Sequence, residues 1–256
     1  PSSEVNIGLV GKYIELRDAY KSNVESFIHA GAANDCKVNI KRIHSESIDD
    51  RTVGSRLEDL DGILVAPGFG SRGIEGKISA IRYAREQMVP FLGICLGMEC
   101  AVIEFARNVL NMANAHSTEM DKRTPYPVID IMEAQKKISG MGGTMRLGSY
   151  PCQIVKGTLT HSIYQRIQIT ERHRHRYEFN NKYLQDFEAK GMIASGINTK
   201  DDLVEIMELR DHPWFVGIQF HPEYKSTVAN PHPLFVGFVQ AAKKYREQHS
   251  HMENPS

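Results

Sequence analysis

The chain of 256 residues is long enough to bury a full core in one large domain, or two at most, and one is expected. With 31 Lys+Arg against 31 Asp+Glu there is no net field to gather a polyanion, and 41% hydrophobic and 24% charged content excludes disordered and fibrous classes. No apolar run reaches the roughly 18 residues that cross a bilayer, and "PSSEVNIGLVG" has no signal-peptide pattern, so a cytosolic protein with no membrane or nucleic-acid partner is expected.

"EVNIGLVG" (Glu4 to Gly11) reads as a short apolar strand, followed by a helix in which Ala19, Val24, Phe27 and Ile28 repeat until Gly31 stops them. "CKVNIKRI" (Cys36 to Ile43) alternates like a strand, "DGILVAPGFG" (Asp61 to Gly70) is an apolar strand running into glycines, and "GKISAIRYARE" reads as a helix. "VPFLGIC" is a buried strand that feeds the helix "LGMECAVIEFARNVL". Strands that are apolar on both faces and alternate with helices imply an α/β fold with an open, mostly parallel sheet flanked by helices.

From Ala113 to Cys152 the chain is polar and rich in Gly, Pro and Ser, with one short strand at "YPVIDIM", and reads as long loops and hairpins beside a site. Two strands follow at "LVEIMEL" (Leu203 to Leu209) and "WFVGIQF" (Trp214 to Phe220). "PLFVGFVQAAKKYRE" closes the core as an amphipathic helix with Leu234, Phe235, Phe238, Val239 and Ala242 inward. An ordered core over residues 4 to 247 and a frayed polar tail are expected.

"GICLG" sets Cys95 between Gly93 and Gly97 at a strand-turn-helix, the logic of a nucleophile elbow, in which glycines remove side chains that would collide across a strained turn. The helix that starts near Leu96 points its N-terminal dipole at Cys95, which favours the thiolate. A small buried core thiol is the competing reading. "QFHPEY" supplies His221 as a base with Glu223 two residues on, where an extended chain puts both on one side. The "APGFG" turn (Ala66 to Gly70) would lie beside the elbow in a parallel sheet, so the N–H groups of Gly68 and Leu96 are candidate oxyanion donors; Pro67 has none to offer.

"ERHRHRYE" (Glu171 to Glu178), read as a strand, puts Arg172, Arg174 and Arg176 on one face and His173, His175 and Tyr177 on the other. It is either a solvated face or the source of an arginine that clamps a substrate carboxylate. Cys36, Cys95, Cys100 and Cys152 are scattered, so reduced thiols, no disulfide framework and no metal site are predicted.

These segments, with "NAHSTE", "GGTMRLG" and "HPWFVGIQFHPEY", resemble the class I (triad) glutamine amidotransferases, and among them the glutaminase domains of CTP synthases, over nearly all of residues 4 to 246. The resemblance implies a flavodoxin-like fold and a triad of Cys95, His221 and Glu223, with Gly68 and Leu96 as oxyanion donors. It further implies L-glutamine as substrate, its α-ammonium received by Glu119 and its α-carboxylate by Arg176, with Glu99 also at the substrate. In that family the released ammonia passes to an N-terminal synthetase domain that uses ATP and magnesium to convert UTP to CTP, with GTP as effector; Thr144 and Arg146 are effector candidates on this basis. No cofactor is expected within these 256 residues.

The absence of a G-x-x-x-x-G-K-[ST] loop and the start at Pro1 suggest an excised domain without its synthetase half. A homotetramer is implied for the full-length enzyme, and a monomer or weak dimer for this piece. Two departures from the family pattern stand out. Ala66-Pro67-Gly68 replaces P-G-G, which leaves Gly68 to carry the oxyanion contact, and Glu99 stands where the family has glutamine. A carboxylate there would accept but not donate, and its charge would oppose thiolate formation. Two other readings stay open: a cysteine hydrolase acting on γ-glutamyl peptides, and a regulatory module silent without its partner.

Overall fold

The computed structural model describes residues 1–16, 18–68, 70–132 and 145–253. The first half runs β1 (Ser3–Gly11), α1 (Lys21–Ala33), β2 (Cys36–His44), α2 (Val53–Leu57), β3 (Gly62–Val65), α3 (Ile74–Glu86), β4 (Phe91–Ile94) and α4 (Leu96–Asn108). Then come β5 (His116–Ser117), β6 (Pro127–Asp130), β7 (Arg146–Ile154), α5 (Leu159–Tyr164), β8 (Gln168–His175), β9 (Glu178–Phe179) and α6 (Leu184–Ala189). The chain closes with β10 (Met192–Asn198), β11 (Leu203–Leu209), β12 (Phe215–Ile218) and α7 (Pro233–Glu253).

One sheet carries the fold, in the order β2-β1-β3-β4-β12-β11-β10-β7-β8. Its first five strands are parallel neighbours, and the last four join antiparallel. The alternation of the parallel strands decides what each face packs against. Ile63, Val65 and Phe91 point into a core shared with Ile78, Ile81 and Val102 of α3 and α4. Leu64, Leu92, Ile94 and Val216 point the other way, onto Phe27 of α1 and Leu234, Phe235 and Phe238 of α7. Strands buried on both faces are therefore continuous apolar runs, which is why they are readable in the sequence. The five inward positions expected on α7 are all fully buried.

Four features differ from the sequence reading. Gly31 does not stop α1, which runs on to Ala33; Ala19 precedes the helix and Ile28 is 63% exposed. Gly31 is required instead because a Cβ there would meet the Cys36 carbonyl oxygen at 2.6 Å. The stretch read as loops and hairpins contains the nine-residue strand β7, disguised by Gly148 and Pro151. β10 pairs with β7 only near Gln153 and Ile154, so Pro151 lies where the strand is open on one side and a missing N–H is tolerated. The third is β10 itself, whose small residues Ala194, Ser195 and Gly196 weakened its pattern; a Cβ on Gly196 would stand 2.6 Å from Ile206 Cδ1 of β11. The tail also departs from expectation, since α7 continues to Glu253. Among the described residues no helix is long and apolar enough to cross a membrane.

Candidate active site

The elbow is a direct result of the parallel register. β4 and β12 run side by side with Ile94 opposite Ile218, so the residues just beyond each strand emerge at the same sheet edge. Cys95 comes next after β4, donates its backbone N–H to the Ile218 carbonyl at 2.7 Å, and takes φ 53 and ψ −105, a left-handed conformation that L residues rarely adopt. Both flanking glycines are forced by close approach. A Cβ on Gly93 would lie 2.7 Å from the Gly97 carbonyl carbon and oxygen, and one on Gly97 would collide with the Val65 carbonyl oxygen of β3.

His221 leaves β12 and is held by its backbone N–H, which donates to the Arg172 carbonyl at 2.8 Å. Its Nδ1 lies 2.7 Å from Glu223 Oε1, and its ring stacks on Tyr224 at 5.1 Å between centroids. Glu223 reaches the ring from a short 3-10 turn, Pro222–Tyr224, rather than along an extended chain. Nε2 is buried and has no hydrogen-bond partner among the described residues. A carboxylate accepts only, so Nδ1 carries the proton and Nε2 is a lone-pair base. Gln219, which the sequence reading missed, donates Nε2–H toward Cys95 Sγ at 3.8 Å; it is two residues before His221, on the same side of the chain, and the period of two could have found it.

Cys95 is buried, and that decides its charge. Burial, reinforced by Glu99 and Glu223, pushes its thiol well above the usual cysteine range, against hydrogen bonds from the Leu96 N–H and Gln219. The resting group is the thiol, which corrects the expectation that the helix dipole would hold a thiolate: desolvation outweighs it. Deprotonation must accompany transfer to a base.

Gly68, Cys95, Glu99, Glu119 and Arg176 line one cavity of about 90 Å³. Met145, His175 and Tyr177 complete its wall, none of them singled out from the sequence as site residues. Gly68 sits against the Leu96 side chain, with a Cβ on it 3.6 Å from Leu96 Cδ2. Glu119 lies just beyond β5 and accepts from the Gly70 N–H at 3.4 Å. A carboxylate and a guanidinium on one cavity suit a ligand bearing both an ammonium and a carboxylate.

The charge run behaves differently from a continuous strand. Arg172 and Arg174 of β8 are exposed while His173 and His175 are buried, as period two requires. β8 ends at His175, and Arg176 turns with Tyr177 onto the cavity instead of joining the outer arginines. Behind it, His173 Nδ1 and His175 Nε2 are 2.7 Å apart, and His175 Nδ1 donates to the Tyr177 carbonyl at 3.1 Å. Arg146, expected at an effector surface, is instead buried in this network, its Nη1 2.8 Å from Glu205 Oε1 and 3.1 Å from Glu178 Oε1. Thr144 lies outside the described residues. Burial and the like charge of Glu205 raise Glu178 to about 8 despite Arg146.

Glu99 is 4% exposed on the first turn of α4. Burial first, then the carboxylates of Glu119 and Glu178, push its carboxyl well above the usual range, with Lys77 opposing. Burial therefore favours the protonated form of Glu99, which has one O–H donor and one acceptor oxygen, the same polarity that an amide presents. The expectation that charge on Glu99 opposes the Cys95 thiolate agrees with its raising effect on that thiol, while burial works against the charge on Glu99 itself. Among the described residues no group of three His, Cys, Asp or Glu side chains is placed to hold a metal ion.

The family model of class-I glutamine amidotransferases matches residues 15–241. The CTP synthase of Christiangramia forsetii is 62% identical over 245 residues, which cover 96% of this chain and 45% of that protein. The CTP synthase of Cytophaga hutchinsonii is 63% identical over 245 residues, covering 96% and 46%. The chain thus spans about half the length of the curated relatives it matches. Among solved structures, the glutaminase domain of Trypanosoma brucei CTPS with bound acivicin superposes with a TM-score of 0.88 at 35% identity, covering 94% of each chain. A glutamine amidotransferase from Thermotoga maritima, 10% identical with a TM-score of 0.54 over 98% of this chain and 99% of that one, shares the fold.

Proposed function

We propose, for a chain that belongs to the class-I glutamine amidotransferase family, that it hydrolyses L-glutamine to glutamate and ammonia through a thioester on Cys95. The observation that carries this reading is the convergence of Cys95, Gly68, Glu119 and Arg176 on one cavity, at the edge where His221 also emerges. Glu119 receives the α-ammonium and Arg176 the α-carboxylate, which brings the side-chain amide to the elbow.

In this mechanism the Cys95 thiol proton moves to His221 Nε2 as sulfur attacks the amide carbon. The oxygen of the tetrahedral intermediate accepts from the Gly68 and Leu96 N–H groups. His221 then returns its proton to the amide nitrogen, the C–N bond breaks and ammonia leaves. Water, deprotonated by the same nitrogen, adds to the thioester; the C–S bond breaks, His221 returns the proton to sulfur, and glutamate leaves with the Cys95 thiol restored. In the protonated form that burial favours, Glu99 can donate or accept at the substrate.

The match to half the length of CTP synthases supports a wider reading. Here the ammonia feeds a synthetase half that uses ATP and magnesium to aminate UTP, in a cytoplasmic, homotetrameric enzyme activated by GTP, with the present chain a monomer or weak dimer alone. The test of the core reading is glutamate release from L-glutamine by this chain and by Cys95→Ser. Release that depends on Cys95 supports it; equal release by both chains overturns it.

A further inference from the structure

Lys77 stands where an apolar residue belongs. With Ile74, Ile78 and Ile81 it completes the i, i+3, i+4, i+7 stripe by which α3 faces the core. Its side chain is fully buried, and its Nζ has no hydrogen-bond partner among the described residues. An ammonium taken out of water without a partner is strongly destabilising unless nearby negative charge offsets it.

The acidic groups around it become negative only when they lose a proton, and they lie at the nucleophile's turn. A Cβ placed on Gly68 would stand 3.6 Å from Lys77 Nζ, which sets the ammonium beside the oxyanion turn. The charged and titratable groups that act on it are Cys100, Cys95 and Glu99 from the elbow and α4, and Lys12 from just beyond β1. Glu99 faces Glu119 and Glu178 in addition to Lys77. Cys95 faces Glu99 and Glu223. The site thus surrounds its nucleophile with carboxyl groups and must create two further negative centres in the reaction, the thiolate and the oxyanion.

We propose that Lys77 is the counter-charge of the nucleophile's turn: its ammonium offsets the Cys95 thiolate and the oxyanion at Gly68 and Leu96, and permits an acidic residue, Glu99, on the first turn of α4. Lys77 acts through Cys95 and Glu99, so it is a positioning residue. Burial lowers its own proton affinity, while Cys100, Cys95 and Glu99 raise it. The proposal rests on Cys95 being the nucleophile.

The test is the pH dependence of iodoacetamide alkylation at Cys95, read by peptide mass spectrometry on the wild-type chain and on Lys77→Met, with glutamine hydrolysis measured alongside. Lys77→Met should move the alkylation midpoint up by about one pH unit or more and lower kcat about tenfold, with KM for glutamine nearly unchanged. Its melting temperature should stay level or rise, because Met fills the space without a charge. A folded Lys77→Met with the wild-type midpoint overturns the proposal and leaves the glutaminase reading standing. If Lys77→Met does not fold, the same titration on Lys77→Gln decides by the same criterion. A wild-type chain that neither alkylates at Cys95 nor hydrolyses glutamine removes the glutaminase reading itself, and this proposal with it.

Discussion

His221 Nδ1 and Glu223 Oε1 stand 2.7 Å apart with both side chains buried. That one bond fixes which ring nitrogen is the base. Glu223→Gln can offer its amide oxygen or its NH₂ at that place but no charge, so the correct tautomer and the imidazolium both lose support. A loss in kcat of about 10²–10⁴ is expected, with little change in KM and an unchanged circular dichroism spectrum. Steady-state glutamate release checks it; a loss under threefold would mean that the carboxylate does not orient the base.

Gly97 has no room for a methyl group, because the Val65 carbonyl occupies the place of its Cβ. Gly97→Ala should lower stability by about 1–3 kcal/mol and reduce activity by misplacing Cys95 two residues earlier. Denaturant unfolding measures the first effect. Wild-type stability and activity in that variant would show that α4 approaches β3 less closely than described.

The legible part of the fold is the part whose strands are buried on both faces: β1, β3, β4 and β12 announce themselves as apolar runs, and the elbow, the glycine turn and "HPE" stand at their ends. In the antiparallel half β11 and most of β8 are legible, whereas β7 and β10 are not, because Gly148 and Pro151 interrupt the one and the small residues around Gly196 weaken the other. Arg176 was found, but its direction was not, since the end of β8 breaks the period that the arginine run suggested. The protonation of Glu99 and Cys95 depends on burial by distant segments, and a sequence motif carries no measure of that. Lys77 is a lysine inside an apolar stripe, a signal that periodicity alone makes visible.

Glu178 is raised to about 8 by burial. A carboxyl with a raised native pKa contributes stability that is fully present below its unfolded pKa of about 4.5 and is lost as pH rises through about 8. Relative to Glu178→Gln, the wild-type chain should therefore lose stability over that window, with a slope of at most about 1.4 kcal/mol per pH unit. Urea unfolding of both proteins at several pH values tests this; parallel curves contradict a buried protonated Glu178.

Glu99→Gln should leave activity near pH 7 unchanged or higher, because the amide presents the same donor and acceptor as the protonated acid that burial favours. At alkaline pH the variant should keep activity longer, since ionised Glu99 raises the Cys95 thiol further. A kcat/KM profile against pH reads both limbs, and a large loss at neutral pH would make the O–H of Glu99 irreplaceable.

Attack by Cys95 on a glutamine held by Glu119 and Arg176 is tested by labelling the chain with acivicin and locating the adduct by peptide mass spectrometry. The expected result is one adduct, on Cys95, suppressed by excess L-glutamine and absent in Arg176→Ala. Modification of Cys36, Cys100 or Cys152 with Cys95 untouched, or labelling of Cys95 that glutamine does not suppress, would contradict it.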